Sequence, residues 1–323
     1  MGNSLVYPKA TVMLLMSLLA IWPAARSTPL PKAADTKAGK LFDYERRVPF
    51  DVSETFTRKE NGVIVRDVSY GSYGRRHGRI KAYIVKPDHA GPHAGVVFFH
   101  WLGRFKSDRS QFLDEAVTLA QHGVVSVLIQ GFFPWLEPPT EAKVDRQRVI
   151  DQTIEVRRAF DLLLAQPGVD PKRIGFVGHD YGAMYGSIVA GLDKRAKAYV
   201  LIAGLGNFGD WSLKYWPVTG NQGAETYRKT MMEVDPIQYI SRAKAAKLFQ
   251  FAEQDIFISK AAADQFYGAA SEPKQAKRYD TEHDLNVEAA RVDRQQWLIQ
   301  QLGLAGGKGR DAISPPLRNA NGN

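Results

Sequence analysis

The segment with the clearest chemical potential joins an apolar run to a helix through one sharp turn. It runs Arg173-Ile-Gly-Phe-Val-Gly178-His-Asp180-Tyr-Gly182. Small residues such as Gly178 and Gly182 are needed there, because strand and helix backbones nearly touch at such a turn. A nucleophile elbow holds its central residue in a strained conformation, with the side chain exposed above the end of the sheet. Asp180 occupies that position, so the sequence predicts an aspartate that takes part in chemistry.

Two further residues with catalytic potential follow later strands. His283 is the only histidine after Asp180, and it comes directly after a predicted strand at 275–279. Asp255 follows the predicted strand 247–252, and Glu253 is a competing carboxylate two residues earlier. A histidine can act as a general base that a carboxylate orients. Each residue alone is ordinary, since an aspartate can cap a helix and a loop histidine can simply be solvated.

The elements that must position these residues alternate along the chain. Hairpins are predicted within 52–87, at 54–57, 63–70 and 79–85. Strands are predicted at 95–100, 124–130, 173–177, 198–203, 247–252 and 275–279, and helices at 107–122, 144–165, 181–192, 236–245, 258–270 and 285–302. This alternation predicts an α/β fold with a mostly parallel sheet that helices cover on both faces.

One insertion breaks the alternation. Residues 204–233 are rich in glycine and aromatic side chains, and a loop of this length is uncommon unless it is functional. We predict a short lid over the site. The alternative is a surface excursion that packs its own aromatic rings.

From about residue 62 to 303 the chain resembles the α/β-hydrolase superfamily, nearest to dienelactone-hydrolase-like secreted members. The features that carry the resemblance are His100-x-x-Gly103 after a buried strand, Val169-Asp-Pro-Lys-Arg-Ile-Gly-Phe-Val-Gly before the elbow, Asp235-Pro, Glu253-Gln-Asp255 and Tyr279-x-x-x-His283. The central elbow residue is cysteine in dienelactone hydrolases and serine in related esterases. Here the elbow is similar to that of haloalkane dehalogenases and epoxide hydrolases, which carry aspartate. Those families have a larger helical cap and usually a proline after the oxyanion histidine and glycine.

The resemblance implies an α/β-hydrolase domain at 50–303 and a catalytic triad. In this superfamily the nucleophile comes first in the chain, the acid second and the histidine last. Asp180, Asp255 and His283 follow that order, and Glu253 remains the alternative acid.

The resemblance also implies an oxyanion hole made of two backbone N–H groups. One belongs to Tyr181, the residue after the nucleophile. The other belongs to Trp101 or Leu102, in the loop that His100 shapes as a structural residue.

The identity of the central elbow residue restricts the reaction. A carboxylate that attacks an ester carbonyl gives an anhydride, and its aspartate leaving group, with a pKa of about 3.9, departs more easily than the alkoxide. Attack by Asp180 on a saturated carbon gives a stable aspartyl ester, which a water molecule deprotonated by His283 can hydrolyse. The sequence therefore favours an epoxide or an alkyl halide as substrate. The alternatives are an esterase or lactonase with an atypical aspartate site, and an inactive hydrolase-fold binding protein.

An epoxide and an alkyl halide need different groups to assist the leaving group. An epoxide needs an acidic O–H, and a halide needs N–H donors. The candidates are Tyr215, Tyr227 and Tyr239 for the first, and Trp101, Trp135, Trp211 and Trp216 for the second. Trp211, Tyr215 and Trp216, in the predicted lid, are the possible substrate contacts.

The sequence predicts a cleaved signal peptide at the N-terminal end and a disordered tail at the C-terminal end. Residues 1–27 have a positive start, an apolar stretch at 11–22 and the small-x-small sequence Ala25-Arg-Ser27, as a secretory signal does. The stretch is shorter than the roughly 20 residues of a membrane-spanning helix, although an uncleaved anchor is the alternative. A leader at 28–49 and a disordered tail at 304–323 flank the domain. We expect a secreted or periplasmic protein.

Composition and charge restrict the classes of partner that we expect the protein to bind. The chain of 323 residues has a net charge of +9 and no cysteine. Its basic residues are scattered rather than concentrated in a stripe, so we expect a small-molecule substrate, no nucleic acid, and no membrane after signal cleavage. No metal motif, phosphate loop or dinucleotide fingerprint is recognisable, and we expect no cofactor.

Overall fold

The structure, a computed structural model, describes residues 37–73, 76–103, 106–216 and 223–304. The predicted signal peptide lies outside this part of the chain, as does the predicted tail apart from Leu304.

One nine-stranded sheet runs through the described residues, in the order β1-β2-β3-β5-β4-β6-β7-β8-β9. Its strands are β1 (Ser53–Glu60), β2 (Val63–Gly71), β3 (Arg79–Pro87), β4 (His93–Phe99), β5 (Val124–Ile129), β6 (Val169–His179), β7 (Ala198–Ile202), β8 (Ala246–Ala252) and β9 (Lys274–Tyr279). Three neighbouring pairs are antiparallel: β1–β2, β2–β3 and β3–β5. The remaining pairs, β5–β4, β4–β6, β6–β7, β7–β8 and β8–β9, are parallel. The predicted sheet, mostly parallel with antiparallel N-terminal strands, is confirmed.

Helices cover the sheet. They are α1 (Lys37–Lys40), α2 (Leu113–Ala120), α3 (Ala142–Leu164), α4 (Tyr181–Leu192), α5 (Phe208–Tyr215), α6 (Gly223–Met231), α7 (Ile237–Ile240), α8 (Lys260–Ala269) and α9 (Glu288–Gln301). Every residue of β4, β5 and β7 is buried, as parallel strands with helices on both faces require.

Two helices are shorter than the sequence predicts. The helix predicted at 107–122 begins only at Leu113, because the residues before it form a hydrogen-bonded turn. There the Asp108 side chain accepts from the backbone N–H of Ser110 at 2.7 Å, and the N–H of Arg109 donates to Gln130 at 3.2 Å. The helix predicted at 236–245 is reduced to α7.

The predicted lid contains α5, α6 and a short 3-10 turn (Met232–Val234), with residues 217–222 outside the described part. Its aromatic residues Trp211 and Tyr227 are buried in the common core. Buried packing also extends upstream of residue 50, where the sequence predicts the domain to begin. Phe42 is fully buried, and the Tyr44 hydroxyl donates to Asp161 at 2.6 Å.

The turn between β6 and α4 has the strained geometry that its sequence predicts. Asp180 has a φ of 54° and a ψ of −117°. A Cβ atom on Gly178 would lie 2.3 Å from the carbonyl oxygen of Gly182, and one on Gly182 would lie 2.2 Å from that of Phe99. Backbone atoms occupy both spaces, so only glycine allows α4 to approach β4 and β6 this closely.

We expect Gly182→Ala to lower the free energy of unfolding by about 3 kcal/mol, the upper end of what overpacking costs, because backbone atoms cannot rotate away. Chemical denaturation checks this. Gly268→Ala is the matched control, because Gly268 is an exposed residue of helix α8 with nothing within 4 Å of the added Cβ. This change should stabilise the protein by about 0.5–1 kcal/mol. Equal effects of the two substitutions would contradict the packing argument.

Candidate active site

The carboxyl ends of parallel strands meet at one edge of the sheet, where open α/β folds place their sites. The loop after β4 brings Trp101 and Leu102 to this edge, and the turn after β6 brings Asp180. The loops after β8 and β9 bring Asp255 and His283. Four segments that are distant in sequence therefore converge.

The two carboxylate oxygens of Asp180 have different surroundings. Oδ2 accepts a hydrogen bond from the backbone N–H of Leu102 at 3.1 Å, and the N–H of Tyr181 also donates to the carboxylate. Oδ1 is buried without a hydrogen-bond partner among the described residues, and it lies 3.8 Å from Nε2 of His283. Asp180 is only 2% exposed. One oxygen is thus held by backbone amides, while the other faces the histidine.

His283 is held from its opposite side by Asp255. Nδ1 of His283 lies 2.8 Å from Oδ2 of Asp255. Oδ1 of Asp255 accepts from the backbone N–H groups of Phe257 at 2.8 Å and Ile258 at 2.9 Å, so the carboxylate is fixed. Glu253, the competing acid, is exposed. The structure therefore brings Asp255, rather than Glu253, to the imidazole.

Burial and neighbouring charges set the protonation of this group of residues. Burial raises the pKa of Asp180 to about 6, against the opposing charge of His283 and the two backbone hydrogen bonds. Burial by itself would lower the pKa of His283, but the hydrogen bond to Asp255 and the negative charge of Asp180 raise it above its ordinary value. Asp180 and His283 therefore each favour the charged form of the other.

The loop after β4 distinguishes between the two amides that the sequence left as alternatives. Of the two predicted amides, that of Leu102 faces Asp180, whereas the Trp101 N–H donates to Oε1 of Gln111 at 2.8 Å. The Trp101 carbonyl accepts from Nδ1 of His100 at 2.9 Å and from the indole N–H of Trp135 at 2.8 Å. Because these bonds fix the Trp101 peptide, Leu102 and Tyr181 are the amides that face the carboxylate.

His100 has the structural role that the sequence suggests. Its Nε2 accepts from the backbone N–H of Gly131 at 2.9 Å while its Nδ1 is bonded to Trp101. Burial lowers the pKa of His100 to about 4, so it stays neutral at ordinary pH.

The predicted substrate contacts are only partly at the site. The rings of Trp211 and His283 are 6.4 Å apart, and Phe257, which the sequence reasoning did not single out, packs edge-on to His283 at 5.0 Å. The Trp216 indole N–H donates to the Tyr181 hydroxyl at 3.3 Å, and the Tyr215 hydroxyl donates to the carbonyl of Phe257 at 3.2 Å.

Three other leaving-group candidates are bonded elsewhere. The Tyr227 hydroxyl donates to Asp145 at 2.8 Å, and the Tyr239 hydroxyl donates to the carbonyl of Glu233 at 2.6 Å. The Trp135 indole N–H is bonded to the Trp101 carbonyl, as described above.

Trp211 and Phe257 also line a groove of about 220 Å³. Its walls combine apolar and polar side chains: Leu205, Gly206, Asn207, Asp210, Trp211, Lys214, Phe257, Ser259, Ala262 and Gln265. Because the rings of Trp211 and Phe257 lie near that of His283, the groove is close to the site, although neither Asp180 nor His283 lines it.

Neither a metal site nor a membrane-spanning helix is found within the described residues. These residues contain no group of three or more histidine and acidic side chains arranged to hold a metal ion. In the same part of the chain, no helix has the length and apolar character needed to cross a membrane.

With the sheet order, the elbow and the converging loops established, the fold is that of the α/β hydrolases, as the sequence predicts. The structure is similar to that of an acetyl xylan esterase from Paenibacillus sp. R4, with a TM-score of 0.65 and 18% identity over 82% of this chain and 92% of that one. It is also similar to acetyl xylan esterase 1 from Thermoanaerobacterium sp. JW/SL YS485, with a TM-score of 0.64 and 15% identity over 82% and 92% of the two chains.

A protein described as a dienelactone hydrolase, from Klebsiella pneumoniae subsp. pneumoniae MGH 78578, is similar too. Its TM-score is 0.55, with 16% identity over 75% of this chain and 99% of that one. No protein-family model and no curated protein matches the sequence. At these identities the likeness establishes the fold, and a fold alone does not determine a reaction.

The buried carboxylate gives a test by unfolding. The pKa of Asp180 is higher in the folded state than in the unfolded state. Protonation of Asp180 therefore contributes its full stabilisation below pH 4, and this contribution is lost as the pH rises through 6. Asp180→Asn should therefore raise the free energy of unfolding at pH 8 by on the order of 2–3 kcal/mol, and leave it nearly unchanged below pH 4. Denaturation at both pH values checks this. A difference that does not depend on pH would contradict the raised pKa.

Proposed function

We propose that this protein is a hydrolase that acts on an epoxide or an alkyl halide through a covalent ester of Asp180. The observation that carries the proposal is the position of Asp180 Oδ2, which accepts the Leu102 amide where an oxyanion hole is expected. An enzyme that activates an ester through this hole must place the substrate's carbonyl oxygen there. Here the protein's own carboxylate occupies the hole, so the oxyanion of the reaction belongs on Asp180 itself.

In the first step, Oδ1 of Asp180 attacks a saturated carbon. A carbon–oxygen bond forms as the bond to halide or epoxide oxygen breaks, and halide departs or the epoxide oxygen gains a proton. Oδ1 suits this role because it has no hydrogen-bond partner among the described residues and faces the interior of the site. Oδ2 remains bonded to Leu102 and becomes the carbonyl oxygen of the ester.

In the second step, His283 removes a proton from water, and the water oxygen attacks Cγ of Asp180. Negative charge then develops on Oδ2, which the amide of Leu102 already contacts, and the Tyr181 amide also favours negative charge on this carboxyl group. The intermediate collapses, the alcohol product leaves with the proton that His283 took from water, and the Asp180 carboxyl group returns to the carboxylate by releasing the second water proton to solvent. Asp255 holds the imidazole and stabilises its charged form.

The order of the two steps follows from the charges. In the resting protein the carboxylate of Asp180 helps to raise the pKa of His283. Esterification removes that negative charge, so the pKa of His283 falls and a larger fraction of the imidazole is neutral, which is the form that can accept a proton from water. Alkylation of an ionised carboxylate itself needs no base.

The groove beyond Trp211 and Phe257 suits the unreactive part of the substrate. Its mixture of aromatic, amide and charged side chains fits an amphipathic molecule whose slender reactive end reaches Asp180. An indole N–H at Trp211 would assist a departing halide, whereas the Tyr215 hydroxyl would have to leave the Phe257 carbonyl before it could assist an opening epoxide.

The second candidate function is ester hydrolysis, which the similarity to acetyl xylan esterases favours. Asp180 would then act as a base on water instead of as a nucleophile. The buried carboxylate, with its pKa raised to about 6, fits that role as well. The two candidates differ in whether a covalent bond to Asp180 ever forms.

We expect His283→Ala to stop turnover but to accumulate the aspartyl ester. Incubation with a panel of epoxides and haloalkanes at pH 8.5 or above, followed by peptide mass spectrometry, should detect a covalent increment on Asp180. High pH is needed because losing the positive charge of His283 raises the pKa of Asp180 further. Asp180→Asn should give no adduct.

The exposed His122 provides the matched control, and His122→Ala should turn over normally without a lasting adduct. If no substrate in the panel labels His283→Ala, the covalent mechanism is wrong. Absence of turnover in the wild type as well would then support a binding protein.

Asp180→Ser separates the two candidate reactions. The substitution creates a Ser-His-Asp triad and removes the carboxylate from the oxyanion hole, so we expect cleavage of p-nitrophenyl acetate to rise at least tenfold above the wild type. Steady-state rates on this ester measure the effect. Rapid cleavage by the wild-type protein that is lost in Asp180→Asn, with no adduct at Asp180, would replace our proposal with the esterase.

A further inference from the structure

Two side chains outside the predicted triad connect its separate loops. His179 is the residue before Asp180, and Gln111 lies in the turn before α2. The carboxamide of Gln111 lies between two groups. Its oxygen, Oε1, is 2.8 Å from the backbone nitrogen of Trp101, and its nitrogen, Nε2, is 2.7 Å from Nδ1 of His179. On its other side, Nε2 of His179 lies 3.0 Å from the carbonyl oxygen of His283.

The chemistry of the groups gives this chain a single direction. The carbonyl of His283 can only accept, so Nε2 of His179 must carry the hydrogen. In a neutral imidazole Nδ1 is then an acceptor and receives a hydrogen from the Gln111 amide. The remaining carboxamide oxygen of Gln111 faces the Trp101 N–H, which can only donate. Every donor therefore meets an acceptor.

His179 remains neutral, as this arrangement requires. Burial lowers the pKa of His179 well below its ordinary value, and the charge of His283 lowers it further. The Trp101 indole lies parallel to the His179 ring, with centroids 5.0 Å apart and an angle of 7° between planes. Neither the tautomer nor the ring orientation is free to change without breaking a buried contact.

We propose that Gln111 and His179 are positioning residues that fix the Leu102 amide and His283 relative to Asp180 through one directed chain of hydrogen bonds. At one end, the chain holds the Trp101 peptide, which precedes the N–H that contacts Oδ2 of Asp180. At the other end it holds the backbone of His283, whose ring lies 3.8 Å from Oδ1. The consequence for catalysis rests on the proposed function, while the effect on geometry does not.

Two substitutions separate the ends of the chain. Gln111→Leu removes both bonds of the carboxamide, so it should disturb the oxyanion amide and His283 together. His179→Phe keeps a flat ring against Trp101 and leaves the Trp101–Gln111 bond in place, so it should act mainly on His283. Because displacement of reacting groups by about 1 Å can cost a hundredfold in rate, we expect Gln111→Leu to slow both ester formation and hydrolysis tenfold or more. His179→Phe should slow hydrolysis alone by a similar factor.

Nitrogen-15 NMR of histidine-labelled protein gives a readout that needs no substrate. In the wild type, His179 should show the Nε2–H tautomer at every pH at which the protein is folded. In both variants the titration midpoint of His283 should fall, because the imidazole moves away from the Asp180 carboxylate. Thermal unfolding would establish that each variant is folded.

Gln130→Leu is the matched control, since Gln130 also bridges two backbone groups, Arg109 N–H and Gly131 C=O, at the same edge of the sheet. It should leave the His283 titration unchanged. The proposal would be overturned if Gln130→Leu lowered the titration midpoint of His283 equally. It would also be overturned if folded Gln111→Leu kept the wild-type midpoint. If neither variant folds, a charged or Nδ1–H form of His179 in the wild type would overturn it. If Asp180 is not labelled but His179 shows the expected Nε2–H tautomer, the result counts against the proposed function alone.

Discussion

The site depends on one constraint, the burial of the Asp180 carboxylate with its two oxygens in unequal surroundings. The positive φ of 54° at the elbow and the close approach of α4 to the end of β4 leave the side chain little freedom. Oδ2 is therefore held by the Leu102 amide, and Oδ1 is left facing His283. In the proposed mechanism, backbone geometry therefore decides which oxygen attacks before any substrate arrives.

This burial has an electrostatic consequence that the neighbouring residues only partly offset. Desolvation favours the neutral form of Asp180, whereas His283 and the backbone amides favour the charged form. His283 in turn lies between two carboxylates, those of Asp180 and Asp255. A change of charge on any one of these three groups must alter the other two. Such coupling is useful in a reaction whose first step neutralises a carboxylate and whose second step needs a base.

Much of the fold and the identities of the central residues could be predicted from sequence, because each has a local signal. Strands and helices alternate with clear apolar periods, and paired glycines mark the elbow around Asp180. His283 and Asp255 each follow a predicted strand in the order that the α/β-hydrolase resemblance implies. These signals depend on spacing along the chain, which sequence displays directly.

The details that sequence could not supply depend on the direction of single peptide groups and on contacts across the fold. The choice between the amides of Trp101 and Leu102 follows from the bond of Gln111 to the Trp101 N–H and from those of His100 and Trp135 to the Trp101 carbonyl. Gln111 has no motif around it and lies in a stretch whose pattern predicts a helix. Its role becomes visible only when the turn at Asp108 delays α2 and leaves the carboxamide beside His179. The aspartate itself is evident in the sequence, but the occupation of the oxyanion hole by its carboxylate is a property of the folded chain. This position of the carboxylate is the observation that supports our proposal of attack at a saturated carbon, although the similar solved structures include esterases.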